Sequence, residues 1–403
     1  MNKALKEFFS KQRNVYFFGL LIAIIATSLE VARGRAENFY TFYYSTIAFW
    51  GTDLQTISQW GGGNPYSEGY CSMFRSFLYT PVFSFFFTPF TWLPMKVAAF
   101  VWNILHYSLF FVAIMMLPAK LFEKSNMPTV NISTERIKAF MFLLLLLEAS
   151  VFPFQYNIAM AYLFVFAYIL LEKDKPVWAV MLIMLSATTK IYGIFQLGLL
   201  FCYKKTWRNL GLAVLFGIGF ALLPAFSTGI DGLIPYYGDW VGAITKHNYH
   251  DFTPTSFIAV RPFREFFMEY RFWLQVPSLA VLAVLFFMKH KCWYNFKFRT
   301  QVLGLLMAWI CIFGDATEAH TYIIAFTGYM LWYSTQEVHT RLDKTLYWVN
   351  WFLFSVTPVD ILFPPSVYWF IDDTLTLDIY ILTFTWIRQV YLLYSSCKTL
   401  EKK

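Results

Sequence analysis

Charged residues are scarce in this sequence. Asp, Glu, Lys and Arg make up 14% of the 403 residues, and hydrophobic residues make up 58%. Because soluble domains carry about a quarter charged residues, the composition excludes an ordinary soluble protein and predicts an all-α polytopic membrane protein. The net charge of +8 comes from short basic clusters between apolar runs. That pattern is typical of positively charged inner loops, and it argues against a nucleic-acid partner.

Cysteine is also scarce. Of the five cysteines only Cys71 lies in a segment predicted to be outside, so no disulfide framework is expected. No Cys/His spacing suggests zinc. The basic N-terminus precedes an apolar run, as in a signal peptide, but no small-x-small cleavage site follows. We therefore predict an uncleaved first helix. The triple glycine 61–63 lacks the lysine and hydroxyl of a phosphate-binding loop and is predicted to be a flexible turn.

The long apolar runs predict the membrane topology. A spanning helix needs roughly 20 mostly apolar residues, and shorter runs are tolerated in bundles. This criterion predicts one membrane domain over residues 1–403, with about twelve transmembrane helices. The predicted spans are 14–33, 95–117, 137–152, 155–172, 176–189, 191–203, 209–227, 272–288, 300–314, 319–335, 345–358 and 377–395.

The distribution of Lys and Arg predicts the orientation. With the N-terminus in the cytoplasm, a basic cluster falls at every inner turn, and the C-terminus is cytoplasmic too. Residues 77–93 are apolar enough to span, but a span there would place the later clusters outside. This run also contains Pro81 and Pro89, which disturb a helix. We therefore predict a helix in the outer interface, within a first extracytoplasmic loop at 34–94. A second large loop is predicted at 228–271.

Unusual polar residues then collect on the outer face. Ionisable groups near membrane depth are costly, so such a concentration indicates a functional site. Lys190 ends the run VMLIMLSATTK and precedes IYGIFQLGLLF, which places it between two spans with no basic neighbour. A lone outer lysine suits a lipid phosphate as a point charge. The alternative is a lysine whose side chain reaches the surface and anchors a helix end.

Several acids and amides accompany Lys190 on this face. Glu37 follows the first span, and it is predicted either as a general base or as part of a helix-capping pair with Asn38. Asp53 and Glu68 are rival bases, or solvated loop acids. Two amides, Gln155 and Asn157, follow a proline at an outer hairpin. They are predicted either to bind a sugar or to form hydrogen bonds with the backbone groups that lose their helical partners at the proline. Both interpretations stay open.

Two outer segments combine histidine with acids. Asp315, Glu318 and His320 lie in GDATEAH, and His247 and His250 lie in KHNYHD. Both groups have residue types that bind metal ions. The favoured interpretations are a solvated turn for GDATEAH and a polar loop for KHNYHD. His247 and His250 stay candidates for contact with an acceptor or phosphate. His106 lies inside the second span and is predicted to form a hydrogen bond in the core.

Four sequence features, in order, resemble a known family. They are ENFYTFYY after the first helix, LYTPVFSFFFTPFTWLP followed by Ala98, Ala99 and Trp102, Gln155-Tyr156-Asn157, and Lys190-Ile191-Tyr192 followed by Lys204-Lys205. Across residues 37–208 the sequence resembles the GT-C glycosyltransferases, and within them glycosyltransferase family 87 of the polyprenyl-phosphate-mannose type. The aspartate that begins the family's aromatic segment corresponds to Asn38. An amide cannot act as a base, so Glu37 is predicted to take that role.

The resemblance implies a GT-C-like bundle with interfacial helices in the first outer loop. It implies inverting transfer of a hexose, with mannose expected, from a polyprenyl-phosphate sugar to a glycolipid or glycan acceptor. The reaction would occur at the outer face of the inner (plasma) membrane, with the lipid bilayer as a partner and no metal or other cofactor. The implied site residues are Glu37 as base, Lys190 and Arg75 at the donor phosphate, and Gln155, Asn157, Tyr192, His247 and His250 at the sugar or acceptor.

Two other functions stay open. A lipid-linked sugar or lipid transporter would share the span count, but it predicts paired broken helices in internal repeats. No convincing repeat relates residues 14–203 to 209–395. A surface-glycan polymerase or ligase would use a large outer loop rich in arginine and histidine, and Arg261 and Arg264 keep that alternative open.

Overall fold

The computed structural model describes residues 3–51, 64–66, 77–123, 131–151, 153–246, 266, 269–314, 317–358, 364, 366–367 and 370–400. All regular secondary structure in these residues is helical. The α-helices are α1 (Lys3–Phe9), α2 (Gln12–Arg33), α3 (Glu37–Trp50), α4 (Pro81–Thr91), α5 (Met95–Met115), α6 (Ile132–Val151), α7 (Asn157–Glu172), α8 (Pro176–Thr189), α9 (Thr206–Leu222), α10 (Ala225–Lys246), α11 (Arg271–Met288), α12 (Phe296–Phe313), α13 (Tyr322–Thr335), α14 (Arg341–Trp351) and α15 (Leu377–Leu400).

Three of the described helices are long and apolar enough to cross a membrane, namely α2, α5 and α12. A fourth is added if α9 and α10, which are bent by 100° at their junction, count as one broken span. Each of the twelve predicted apolar segments overlaps helical structure. The protein is therefore a helical integral membrane protein, and the number of helices that cross the bilayer remains a prediction.

Helix α12 forms the centre of the bundle. Every residue from 298 to 313 is buried. Helix α13 packs against it where Gly304 and Gly328 face each other. A Cβ added to Gly304 would lie 2.5 Å from the Gly328 carbonyl oxygen, and one added to Gly328 would lie 2.7 Å from the Gly304 oxygen. Helices in lipid gain little from hydrophobic burial against one another, so small residues that allow close backbone approach take its place.

The contact between Gly304 and Gly328 predicts a stability effect. Substitution of Gly304 by valine should destabilise the bundle by about 1–3 kcal/mol or more, because the new side chain meets backbone that cannot move aside. Gly211→Ala on α9 is the control, since its Cβ would have no neighbour within 4 Å. Thermal unfolding in detergent measures both variants. Equal melting temperatures for Gly304→Val and the control would show that the two helices can separate without cost.

A 3₁₀ helix, Ile191–Cys202, follows α8 directly. Its rise of about 2.0 Å per residue gives these 12 residues a length of roughly 24 Å, compared with about 18 Å for an α-helix. The larger rise per residue therefore makes this short apolar segment longer than an α-helix of the same number of residues. Gly193 permits the packing against α8, because a Cβ there would lie 2.3 Å from the backbone nitrogen of Ala187.

A buried ion pair joins three elements on the predicted inner side. The Arg299 guanidinium donates to both carboxylate oxygens of Glu172, at 2.6 and 2.9 Å. The Tyr203 hydroxyl donates to the same carboxylate at 2.7 Å. The two charged side chains are only 11% and 9% exposed. Arg299 lies in one of the basic clusters at the predicted inner turns, and the structure gives it a specific buried partner.

Helices α3, α4 and α10 pack together on the predicted outer side. Pro81 occupies the first turn of α4, where its missing N–H costs nothing. The Trp50 indole donates to the Thr88 hydroxyl at 2.7 Å, and the Trp240 indole donates to the Leu78 carbonyl at 3.0 Å. The predicted segment 77–93 is therefore helical over most of its length, and its depth in the membrane interface remains a prediction.

Candidate functional site

Lys190 provides a fixed cation at the end of α8. Its Nζ donates a hydrogen bond to Asn157 Oδ1 at 2.6 Å. The same Nζ lies 5.5 Å from the ring centroids of Tyr79 and Tyr192, within the range of a cation–π contact. The side chain is thus held within the protein by an amide and two aromatic rings, which a surface anchor would not require.

Burial and charge have opposite effects on Lys190. Burial lowers the pKa of its ammonium to about 8, whereas the nearby charge of Glu318 raises it. The amine is therefore largely protonated at neutral pH, and it loses its charge only as the pH rises past about 8. A cation that is poorly hydrated in this way interacts strongly with an incoming anion.

Asn157 connects Lys190 to the turn between α12 and α13. Its Nδ2 donates to the Thr321 hydroxyl at 3.2 Å, and that hydroxyl accepts the Glu318 backbone N–H at 3.1 Å. The Glu318 carboxylate contacts His320 Nε2. Glu318 and His320, which sequence analysis favoured as part of a solvated turn, therefore belong to the surroundings of Lys190.

The turn around Pro153 is held by side chains from α3 and α5. Three backbone carbonyls there accept a side-chain N–H, and the Val151 carbonyl also accepts the Phe154 backbone N–H at 3.0 Å. The pairs are Val151 with Asn103 at 3.0 Å, Pro153 with Asn38 at 2.8 Å, and Phe154 with Trp102 at 3.3 Å. The backbone carbonyls of this turn are therefore bonded by residues other than Asn157. The Asn157 side-chain amide bonds to Lys190 and Thr321 instead.

The predicted capping role of Asn38 is wrong. Helix α3 begins at Glu37, and Asn38 already lies in the first turn, with Ala36 at the capping position. The Asn38 amide donates to the Pro153 carbonyl 115 residues away. A carboxylate in this place would face the carbonyl acceptor without a proton to donate. The Asn38 amide thus connects α3 to the turn before α7.

The other predicted residues have different outcomes. Gln155 is buried, and Tyr192 lies beside Lys190. His106 is buried and its Nδ1 is 3.1 Å from the Tyr162 hydroxyl, which confirms its predicted core hydrogen bond. The predictions that fall outside the described residues concern Asp53, Glu68, Arg75, His247, His250, Arg261, Arg264, Asp315 and the side chain of Glu37. Within the part of the chain that is described, no three His, Cys, Asp or Glu side chains form a group that could hold a metal ion.

A sequence model of glycosyltransferase family 87 matches residues 77–327, which is more than half of the 403 residues. The chain belongs to glycosyltransferase family 87. This confirms the resemblance, and membership indicates glycosyltransferase activity in an integral membrane protein. No curated protein matches the chain. The matched region of this family 87 chain includes Tyr79, Asn157, Lys190 and Glu318, and it begins after the segment that contains Glu37 and Asn38.

Three residues of the site were missed or discounted from sequence. Tyr79 lies in a run of aromatic residues that gave no reason to single it out. For Glu318 and His320 the sequence favours a solvated turn over a metal cluster. The sequence places GDATEAH and Lys190 on the same predicted outer face of the membrane. A common face does not by itself predict that the two segments are in contact.

Proposed function

We propose that the chain is an inverting glycosyltransferase that moves a hexose, with mannose the first candidate, from a polyprenyl-phosphate donor to a glycolipid or glycan acceptor. The proposed location is the outer face of the inner membrane, with both termini in the cytoplasm. The observation that carries this proposal is the Lys190 ammonium, which is hydrogen-bonded to Asn157 and lies 5.5 Å from the ring centroids of Tyr79 and Tyr192. A compact cation suits the single phosphate of a lipid-linked sugar. Aromatic faces and the amide of Gln155 suit the sugar itself.

In the proposed reaction Lys190 binds the donor phosphate, with Arg75 as a second candidate cation. Glu37 takes the proton of the acceptor hydroxyl while that oxygen attacks the anomeric carbon opposite the phosphate. Displacement inverts the anomeric configuration through a transition state with oxocarbenium character. Lys190 stabilises the negative charge that develops on the departing phosphate. His247 and His250 are proposed on the acceptor side, and no step is assigned to a metal ion.

The assignment of the base predicts the effect of Glu37→Gln. Loss of the proton acceptor should lower transfer about 10²–10⁴-fold while donor binding is retained. The assay uses purified protein in nanodiscs with radiolabelled polyprenyl-phosphate mannose and a mixed glycolipid acceptor. Glu135→Gln, which removes a carboxylate on the predicted inner side, is the matched control.

Other outcomes would redirect the proposal. Transfer at the wild-type rate in Glu37→Gln rejects that base, and Asp53→Asn and Glu68→Gln then test the rivals. Donor binding without transfer by the wild type, across several lipid-linked sugars, would favour a transporter over a transferase.

A further inference from the structure

The turn between α12 and α13 holds an acid–imidazole pair that the proposed reaction has not yet used. The Glu318 carboxylate contacts His320 Nε2, and the two side chains are 35% and 16% exposed. The Ser150 hydroxyl donates to the His320 backbone carbonyl at 3.2 Å, which fixes the turn against α6. The pair is thus anchored on the protein side and partly open on the other.

A chain of hydrogen bonds connects Lys190, the proposed phosphate-binding cation, to the turn that holds this pair. Lys190 bonds to Asn157, Asn157 bonds to Thr321, and Thr321 bonds to the Glu318 backbone. Burial lowers the pKa of Lys190 and the Glu318 charge opposes that shift. Burial, and after it the Glu318 charge, raises the pKa of Tyr79, whose ring centroid lies 5.5 Å from Lys190 Nζ. The carboxylate is therefore within electrostatic reach of the position that we assign to the donor phosphate.

Part of this arrangement has a simple structural explanation. Glu318 and Thr321 form a capping box, in which the Glu318 side chain accepts the Thr321 backbone N–H and the Thr321 hydroxyl accepts the Glu318 N–H. The capping box accounts for the conformation of Glu318, but it does not involve the imidazole of His320. An imidazole that a carboxylate holds in a fixed orientation is positioned for proton transfer.

We propose that His320, held by Glu318, is the acid that protonates the departing lipid phosphate. This inference rests on the proposed transferase function. The acceptor hydroxyl proton passes to Glu37, and the acceptor oxygen forms the new bond to the anomeric carbon. The bond between that carbon and the phosphate oxygen breaks, its electron pair stays on the phosphate, and a phosphate oxygen takes the proton of His320. Both side chains then regain their starting states by exchange with water.

The charges of the site explain why an acid is needed there. The donor phosphate carries one negative charge while it is esterified on both sides, and cleavage adds a second. Lys190 offsets one of these charges. The second would develop within reach of the Glu318 carboxylate, where like charges repel. Proton transfer from His320 leaves a singly charged lipid phosphate as the product, which removes the repulsion.

The test combines His320→Gln, which removes the acid, with His320→Lys, which restores a cationic proton donor. The measurements are the transfer rate at saturating donor and the binding of farnesyl phosphate, a soluble analogue of the leaving group. We expect His320→Gln to lower the rate about 10²-fold and to weaken farnesyl phosphate binding severalfold. His320→Lys should recover part of both, which a histidine with a merely structural role would not show. His290→Gln, in an exposed position in the 3₁₀ turn His290–Cys292, is the control.

A second variant keeps the inference testable if His320 variants fold poorly. Glu318→Gln retains a side-chain oxygen for the capping box but removes the negative charge beside His320, so we expect a lower rate in a folded protein. Wild-type rate and farnesyl phosphate affinity in His320→Gln would overturn the inference alone. A wild type that neither transfers sugar nor binds farnesyl phosphate would overturn the proposed function, and the inference with it.

Discussion

Replacement of Lys190 by alanine is expected to lower sugar transfer about 10²–10³-fold, the usual cost of losing a fixed group that stabilises developing charge. The same change should weaken farnesyl phosphate binding, because Lys190 is the cation that Asn157 holds in place. Lys204→Ala is the matched control, since Lys204 is an exposed lysine in the next basic turn. The nanodisc transfer assay and farnesyl phosphate binding measure both variants.

The pKa of Lys190 adds a dependence on pH. Because burial lowers the pKa of the ammonium to about 8, kcat/KM of the wild type should fall as the pH rises past that value and the charge is lost. Lys190→Arg keeps its charge over the whole range and should not show this loss at high pH. Unchanged transfer and unchanged phosphate affinity in Lys190→Ala would contradict the phosphate assignment and return Lys190 to the role of a helix-end anchor.

The largest effect on stability is expected from Glu172→Gln. This change leaves the Arg299 guanidinium buried without its carboxylate partner, and such a loss costs about 3–5 kcal/mol. Tyr203 loses its charged acceptor at the same time. Denaturant titration in detergent micelles measures the free energy of unfolding. The control is Lys138→Gln, which breaks the exposed pair with Glu135 and should cost no more than about 1 kcal/mol.

A double variant separates the ion pair from its packing. Arg299→Met combined with Glu172→Leu removes both charges, and it should recover much of the stability lost in Glu172→Gln, because an apolar pair has no desolvation cost. If the single and double variants lower the free energy of unfolding equally, the stabilisation by these residues comes from packing shape and from the Tyr203 hydrogen bond rather than from charge.

Hydropathy predicted the helices well because apolar length is a local property. The segments 95–117 and 176–189 coincide closely with α5 and α8. It did not predict that residues 191–202 form a 3₁₀ helix, since that choice depends on packing against α8. Arg299 was interpreted from charge alone, and the position of Glu172 opposite it could not be predicted from two distant inner turns.

The site was predicted only in part, for a similar reason. Lys190 and Asn157 were singled out because each is unusual in its own segment, but their hydrogen bond needed the packing of α7 against α8. His320 lies 130 positions after Lys190 in the sequence, and only the three-dimensional structure shows that Asn157 and Thr321 connect them. Asn38 was given a local capping role because capping is the local use of an amide, whereas its partner is Pro153.

The enclosure of α12 has a consequence for the order in which the protein assembles during synthesis. The partners of α12 include residues made before it and residues made much later, in α15. The Trp386 indole donates to the Leu305 carbonyl at 3.2 Å, and the Trp386 ring packs against the Phe313 ring with their centroids 5.5 Å apart. When the ribosome has completed α12, the surface that α15 will cover still faces lipid or the insertion machinery. The centre of the bundle therefore closes only after residues 377–400 have been made and inserted.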